Sequence, residues 1–147
     1  MHEMKKSSAT TSSAPPRSVN AVSWSLRIFA TVAFLAAGGA KLAGVPMMVE
    51  IFEHIGLGQW FRILTGLVEV SAAIALLIPA IAGLGGLLLA VTMIFAVLTH
   101  LFVIGGSPVP AIVLLLITAG IAWLNRATIL PLNRSGQISA HLRESKP

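Results

Sequence analysis

From Val70 to Asn125 the chain contains a single ionisable residue, His100, in 56 positions. A water-soluble domain carries about 25% charged residues, because its whole surface must face water. This chain has 10% charged and 56% hydrophobic residues, too few charges to cover such a surface. Long apolar runs of this kind are typical of helices that cross a lipid bilayer. The sequence therefore predicts an integral membrane protein that is surrounded by lipid.

Four apolar segments approach the length that crosses about 30 Å of hydrocarbon. They lie near 23–44, 60–79, 81–104 and 109–125, and turn sequences rich in Gly and Pro separate the last three. Short connections favour antiparallel neighbours. The predicted fold is therefore all-α, a four-transmembrane-helix antiparallel bundle. Small residues spaced four apart predict close helix contacts; they are Ala36 and Ala40 in the first segment, and Ala82, Gly86 and Ala90 in the third.

The transmembrane domain is assigned to residues 21–126. Residues 1–20 are rich in Ser, Thr and Pro and are predicted to be a disordered tail, and residues 127–147 form a polar, basic tail. An alternative is a signal peptide cleaved after Gly-Gly-Ala, but Arg27 would interrupt its apolar region. We expect Arg27 to extend towards the lipid head groups instead.

Lysine and arginine are distributed unevenly along the chain. Eight lie on the terminal sides of the apolar region, and two, Lys41 and Arg62, lie between the first and second segments. By the positive-inside rule both termini are cytoplasmic, in a multi-pass protein of the cell (cytoplasmic) membrane. The basic residues do not alternate with aromatic ones, so the net charge of +5 does not indicate nucleic-acid binding. The absence of cysteine excludes disulfides and thiolate metal sites.

A short amphipathic helix is predicted at 46–56, between the first and second spans. It begins with Pro46 and ends with Gly56, the residues that suit a helix start and stop. We expect it to lie in the outer membrane interface or over the end of the bundle. Its apolar face holds Met47, Met48, Ile51, Phe52 and Ile55, and its polar face holds Glu50, Glu53 and His54.

Glu69 lies nine residues after Trp60, about 14 Å deep in the second span. A charge facing lipid at that depth costs about 2.5–3.5 kcal/mol, so Glu69 is expected to face the other helices. Lys41 and His100 fall on the same outer side. The candidate polar cluster is therefore Lys41, Glu69 and His100, with a secondary group of Glu50, Glu53, His54 and Arg62 above it.

Simpler interpretations of these residues stay open. Glu69 could serve only as the partner of a basic residue that joins two helices, and Lys41 or Arg62 could extend to head groups. His100 could bond a carbonyl group. No metal site is predicted, since Glu50, His54 and His100 match no established ligand motif. The sequence contains no nucleotide loop or nucleophile elbow, so it identifies no reaction.

In these features the chain resembles the DoxX-like family of small four-helix membrane proteins, from about Arg27 to Arg126. The resemblance is carried by GGAKLAGVPMMVEIFEHIG, WFRILTGLVEV, AVLTHL and PAIVLLLITAGIAWL. It implies a bacterial-type cytoplasmic membrane protein. The family name comes from a subunit linked to thiosulfate:quinone oxidoreduction, and some relatives associate with oxidative-stress enzymes, although many have no established activity. The positions that match as family marks are Lys41, Gly66, Glu69, Thr99 and His100.

Three functions are compatible with this resemblance and with the polar cluster. The first is a redox-associated membrane subunit whose cluster binds a quinone head group or a small acid. The second is a non-catalytic membrane module that assembles with or stabilises partners, including other membrane or oxidoreductase subunits. The third is a conduit for protons or small solutes. Without cysteine, a redox role requires a bound quinone, a partner or an external substrate. The sequence leaves open the oligomeric state and whether the protein is an enzyme.

Overall fold

The computed structural model describes the backbone of residues 17–129 and the side chains of residues 20–129. Every regular element in this range is helical, which confirms the all-α prediction for the described chain. The elements are α1 Arg17–Leu42, α2 Pro46–Ile55, α3 Gln59–Leu77, α4 Ala82–Thr99, a π-helical segment His100–Ile104, α5 Val109–Leu124 and α6 Arg126–Ile129.

The predicted tails, 1–20 and 127–147, lie outside the described residues except at their inner ends. Residues 17–20 belong to α1 and residues 127–129 to α6. The helical region therefore extends a few residues beyond the predicted 21–126 domain at both ends.

Three helical stretches in the described range are long and apolar enough to cross a membrane. They are Asn20–Leu42, Gln59–Leu77 and Ala82–Ile104, the last of which joins α4 to the π-helical segment. The fourth apolar helix, α5, has 16 residues and is shorter. Length and composition thus support membrane crossing for three of the four predicted spans.

The short amphipathic helix is present as α2, close to its predicted bounds. Pro46 occupies its first turn, where the missing N–H of proline is not needed. Gly56 ends the helix in the left-handed conformation, with φ 79°, and its N–H bonds the carbonyl oxygen of Glu53. Phe52 is buried and packs against Phe61 of α3 with ring centroids 5.9 Å apart. This contact fastens α2 to the start of α3.

The four longer helices pack side by side around an apolar core. α1 contacts α3 and α5, and α4 also contacts α3 and α5. Four large apolar side chains are completely buried where these helices meet, one from each helix: Phe34, Leu76, Leu89 and Ile121. The core therefore draws on all four helices, including the short α5.

Glycine sets the closest approach between α1 and α3. A Cβ atom on Gly38 would lie 2.9 Å from Val70 Cγ2 and 3.0 Å from the Gly66 carbonyl oxygen. The predicted role of Ala36 in this contact is wrong, since Ala36 is exposed, and Ala40 is only half-buried. Periodic spacing identified the right helix but the wrong face.

In α4 the prediction of close small-residue contacts is confirmed. Ala82, Gly86 and Ala90 are all buried. A Cβ atom on Gly86 would lie 3.0 Å from the backbone nitrogen of Ala122 in α5, so the two helices approach closely at this glycine.

Candidate functional site

Lys41 and Glu69 form an ion pair between α1 and α3. The distance from Lys41 Nζ to Glu69 Oε2 is 2.7 Å. The Glu69 side chain is 3% exposed and that of Lys41 is 15% exposed, so the carboxylate is the more deeply buried partner. This contact matches the interpretation in which Glu69 pairs with a basic residue and the pair joins two helices.

The direction of side chains on antiparallel helices explains why these two residues meet. Gly38 of α1 lies opposite Gly66 of α3, so the Lys41 backbone lies nearer the helix ends than Glu69 does. Side chains in a helix tilt towards its N-terminus. Lys41 therefore leans into the bundle and Glu69 leans back towards it. The alternative in which Lys41 extends outward to head groups does not match this geometry.

Arg62 connects the ion pair to α2. Its Nη1 donates a hydrogen bond to the carbonyl oxygen of Lys41 at the end of α1. Its Nε donates to Gln59 Oε1 at 2.6 Å, and Gln59 Nε2 donates to the carbonyl oxygen of Val49 in α2 at 3.1 Å. A cation is favourable at a helix C-terminus, where carbonyl groups lack partners. Arg62 thus joins α1, α2 and α3 and does not act only as a head-group anchor.

His100 does not join the ion pair through a hydrogen bond. It begins the π-helical segment, and its Nδ1 lies 3.4 Å from the carbonyl oxygen of Gly105. The interpretation of His100 as a histidine bonded to a carbonyl describes this contact. Thr99, the neighbouring family mark, donates to the Phe95 carbonyl oxygen of its own helix at 2.8 Å.

The polar face of α2 stands apart from the ion pair. Glu50, Glu53 and His54 are all exposed, as on an ordinary solvated face. Within the described residues no three His, Asp or Glu side chains are placed to hold a metal ion. Of the seven candidate residues, the structure therefore brings together Lys41, Glu69 and Arg62.

A second polar contact, between α1 and the residue that follows α5, was not identified from the sequence. Arg27 is 5% exposed, and its Nη2 donates a hydrogen bond to Asn125 Oδ1. The sequence predicted only that Arg27 extends towards the head groups, and the structure adds a protein partner, Asn125, that this prediction did not include. Asn125 is the last residue of the fourth apolar segment, but no local pattern indicates that its partner lies 98 residues away.

Replacing Arg62 by methionine is expected to loosen α2 while leaving the long helices folded. The change removes the hydrogen bonds to Lys41 and Gln59, and charged hydrogen bonds contribute about 1.5–3 kcal/mol each. Hydrogen exchange of the α2 amides, residues 46–55, should accelerate at least about tenfold. The matched control is Arg126→Met, because Arg126 bonds only the Trp123 carbonyl of its own turn among the described residues. Equal exchange in both variants would contradict the role given to Arg62.

Comparison with known proteins agrees with the resemblance seen in the sequence. A family described as the DoxX-like family matches residues 25–124, about two thirds of the chain. The chain is similar to the uncharacterized protein YdgD of Bacillus subtilis (strain 168), with 32% identity over 85 residues, which are 55% of this chain and 75% of that protein. No solved structure gives a significant match. The matched region contains both residues of the Lys41–Glu69 pair, and the chain belongs to the DoxX-like family of membrane proteins.

Proposed function

We propose that α5 is a fourth membrane span. Its 16 residues, Val109–Leu124, carry no charge and extend for about 24 Å. A span somewhat shorter than the hydrocarbon layer is accommodated by local thinning of the bilayer at modest cost. α5 also packs along both α4 and α1, as a helix inside the bundle would. With four spans, the lysine and arginine distribution favours cytoplasmic termini in the cell membrane.

Single-cysteine labelling tests this topology without interference, because the natural chain has no cysteine. In intact cells a membrane-impermeant maleimide should label Glu53→Cys and Ser107→Cys. It should leave Ala80→Cys and Ala127→Cys unlabelled until the membrane is permeabilised. Labelling of both Ser107→Cys and Ala127→Cys in intact cells would show that α5 does not cross.

We propose that the protein is a non-catalytic membrane module that assembles with or stabilises partner subunits. The observation that carries this proposal is the Lys41–Glu69 contact at 2.7 Å. The acid and the base that a reaction could use are each other's partners, and Arg62 is engaged by backbone and amide oxygens. The exposed faces of the helices are apolar, which suits lipid and membrane partners alike. Other membrane or oxidoreductase subunits are the partners that the family resemblance suggests.

The packing of the interior favours this module over a proton or solute conduit. Phe34, Leu76 and Leu89 are completely buried among the helices. A conduit needs polar groups or water along its path, and these apolar side chains fill the space instead.

A redox role is the second candidate, with a quinone head group or small acid as the ligand. The observation that favours it is the 15% exposure of Lys41, which leaves the ammonium at the accessible end of the pair. An ammonium has three N–H donors, and Glu69 accepts from one of them. A quinone carbonyl or a carboxylate could accept from another.

Exchanging the charges of Lys41 and Glu69 distinguishes the assembly module from the redox role. If the pair only holds α1 to α3, the double variant Lys41→Glu/Glu69→Lys should regain most of the stability that either single reversal loses. It should also migrate in the same native complex as the wild type. Solvent extraction of purified protein should then yield far less than one quinone per chain. About one quinone per wild-type chain, lost in a folded exchange variant, would favour the redox role and contradict the module.

A further inference from the structure

A second polar cluster lies at the other end of α1 from the ion pair. Arg27 precedes Lys41 by 14 residues, which is about 21 Å along a helix. The Arg27 guanidinium stacks over the Trp24 ring at 5.2 Å and bonds Asn125. Next to Asn125, Arg126 stacks over the Trp123 ring at 4.9 Å. We call these five residues the basic junction.

The hydrogen bonding of Arg27 is incomplete within the described residues. A guanidinium offers five N–H donors, and the bond to Asn125 uses one of them. The Arg27 Nε is buried and has no partner, although the side chain as a whole is 5% exposed. Buried charges are normally paired or fully hydrogen-bonded. An oxygen-rich anion cannot reach the buried Nε, but at the exposed edge of the guanidinium it would supply acceptors to the remaining Nη donors.

Carboxylates within the described chain lie away from the basic junction. Glu69 is paired with Lys41 about four helical turns along α1 from Arg27. Glu50 and Glu53 belong to α2, which begins just after the end of α1 that carries Lys41. Among residues 20–129 the two arginines of the junction therefore lie at an end of the molecule without an acidic side chain.

The indole rings place the basic junction at head-group depth. Trp24 is 42% exposed and Trp123 is 69% exposed, so both rings reach the surface beside their arginines. Tryptophan concentrates at the boundary between hydrocarbon and head groups. An occupant at this place therefore meets two guanidinium groups, each with an exposed aromatic ring beside it.

We propose that the basic junction binds the phosphate group of an anionic phospholipid from the leaflet at this end of the helices. Guanidinium donors match phosphate oxygens in paired hydrogen bonds, and basic sites between membrane helices bind anionic head groups. A lipid fits better than free phosphate, because Trp24 and Trp123 offer apolar surface to the glycerol and acyl chains. The proposal rests on the protein being a membrane protein and does not depend on the assembly role proposed above.

The test is lipid retention by the full-length protein, purified in mild detergent and analysed by native mass spectrometry. Wild type should retain phosphatidylglycerol at least about tenfold more tightly than phosphatidylcholine. Arg126→Gln should weaken retention of phosphatidylglycerol about tenfold, which corresponds to the loss of one charged hydrogen bond. This variant keeps the bond between Arg27 and Asn125. Arg62→Gln removes the same charge at the other end of α1 and should retain phosphatidylglycerol like the wild type.

Three results would overturn the proposal. One is equal retention of phosphatidylglycerol and phosphatidylcholine by the wild type. Another is unchanged retention of phosphatidylglycerol in both Arg126→Gln and a folded Arg27→Gln variant. The third is displacement of the lipid by millimolar inorganic phosphate, which would show that the junction binds a free anion.

Discussion

Replacing Lys41 by methionine is expected to lower the free energy of unfolding by about 3–5 kcal/mol, the range found when one partner of a buried ion pair is removed. Glu69 is 3% exposed, so its carboxylate would stay buried without a countercharge. Replacing Glu69 by methionine should cost less, because the 15% exposed lysine can reach a more polar environment. The double variant should recover most of the loss, since two apolar side chains pack without desolvating a charge.

The measurement is SDS-induced unfolding of the purified protein in detergent micelles, followed by circular dichroism. The four proteins form a double-mutant cycle, whose coupling free energy isolates the contact between Lys41 and Glu69. The control is Glu53→Met, because Glu53 lies exposed on α2 and surface substitutions usually change stability by less than about 0.5 kcal/mol. If the effects of the two single changes simply add in the double variant, the ion pair does not hold α1 to α3.

Local sequence signals such as Pro, Gly and the lengths of apolar runs predicted the bounds of the helices well in this chain. Pro46 and Gly56 start and stop a helix through their own backbone restrictions, so the bounds of α2 could be derived without knowledge of the fold. The same applies to α3, which runs from Gln59 to Leu77 against a predicted 60–79. Hydrophobic length alone cannot decide whether the 16-residue α5 crosses the membrane, because the bilayer adapts to short spans.

The polar contacts were only partly predictable, because they depend on the partner helix. A carboxylate at the depth of Glu69 requires a partner, and the sequence placed both Lys41 and Arg62 on the same side without deciding between them. The contact of Arg27 could not be predicted because its partner, Asn125, is an uncharged residue 98 positions away. His100 was grouped with the pair by depth alone, whereas in the structure its ring lies by the Gly105 carbonyl.

The sequence GGAK at the end of α1 and the sequence GLVE in α3, both within the stretches that carry the family resemblance, form the two halves of one helix contact. Gly38 precedes Lys41 by three residues, and Gly66 precedes Glu69 by three. Residues three apart share a helix face. A Cβ atom on Gly66 would lie 3.1 Å from the Gly38 carbonyl oxygen, so the two glycines let the backbones approach at the level where the ions meet. Gly-x-x-Lys and Gly-x-x-Glu therefore act together, the glycines setting the distance that the ion pair needs.

Substitution of Gly38 by alanine is expected to destabilise the protein by about 1–3 kcal/mol, the usual cost of overpacking. The new Cβ would meet Val70 Cγ2 at 2.9 Å and the Gly66 carbonyl oxygen at 3.0 Å. The carbonyl belongs to the backbone, so relief requires α1 and α3 to separate. The gain in helix propensity, at most about 1 kcal/mol, works in the opposite direction.

Gly39→Ala is the matched control, since nothing lies within 4 Å of a Cβ at that neighbouring position. It makes the same chemical change in the same helix and should be neutral or stabilising. If Gly38→Ala acts by separating the helices, it also lengthens the contact between Lys41 and Glu69. Its effect should then shrink in the Lys41→Met/Glu69→Met background, where no ion pair remains to be weakened. An undiminished effect in that background would mean that the glycine contact and the ion pair stabilise the bundle independently.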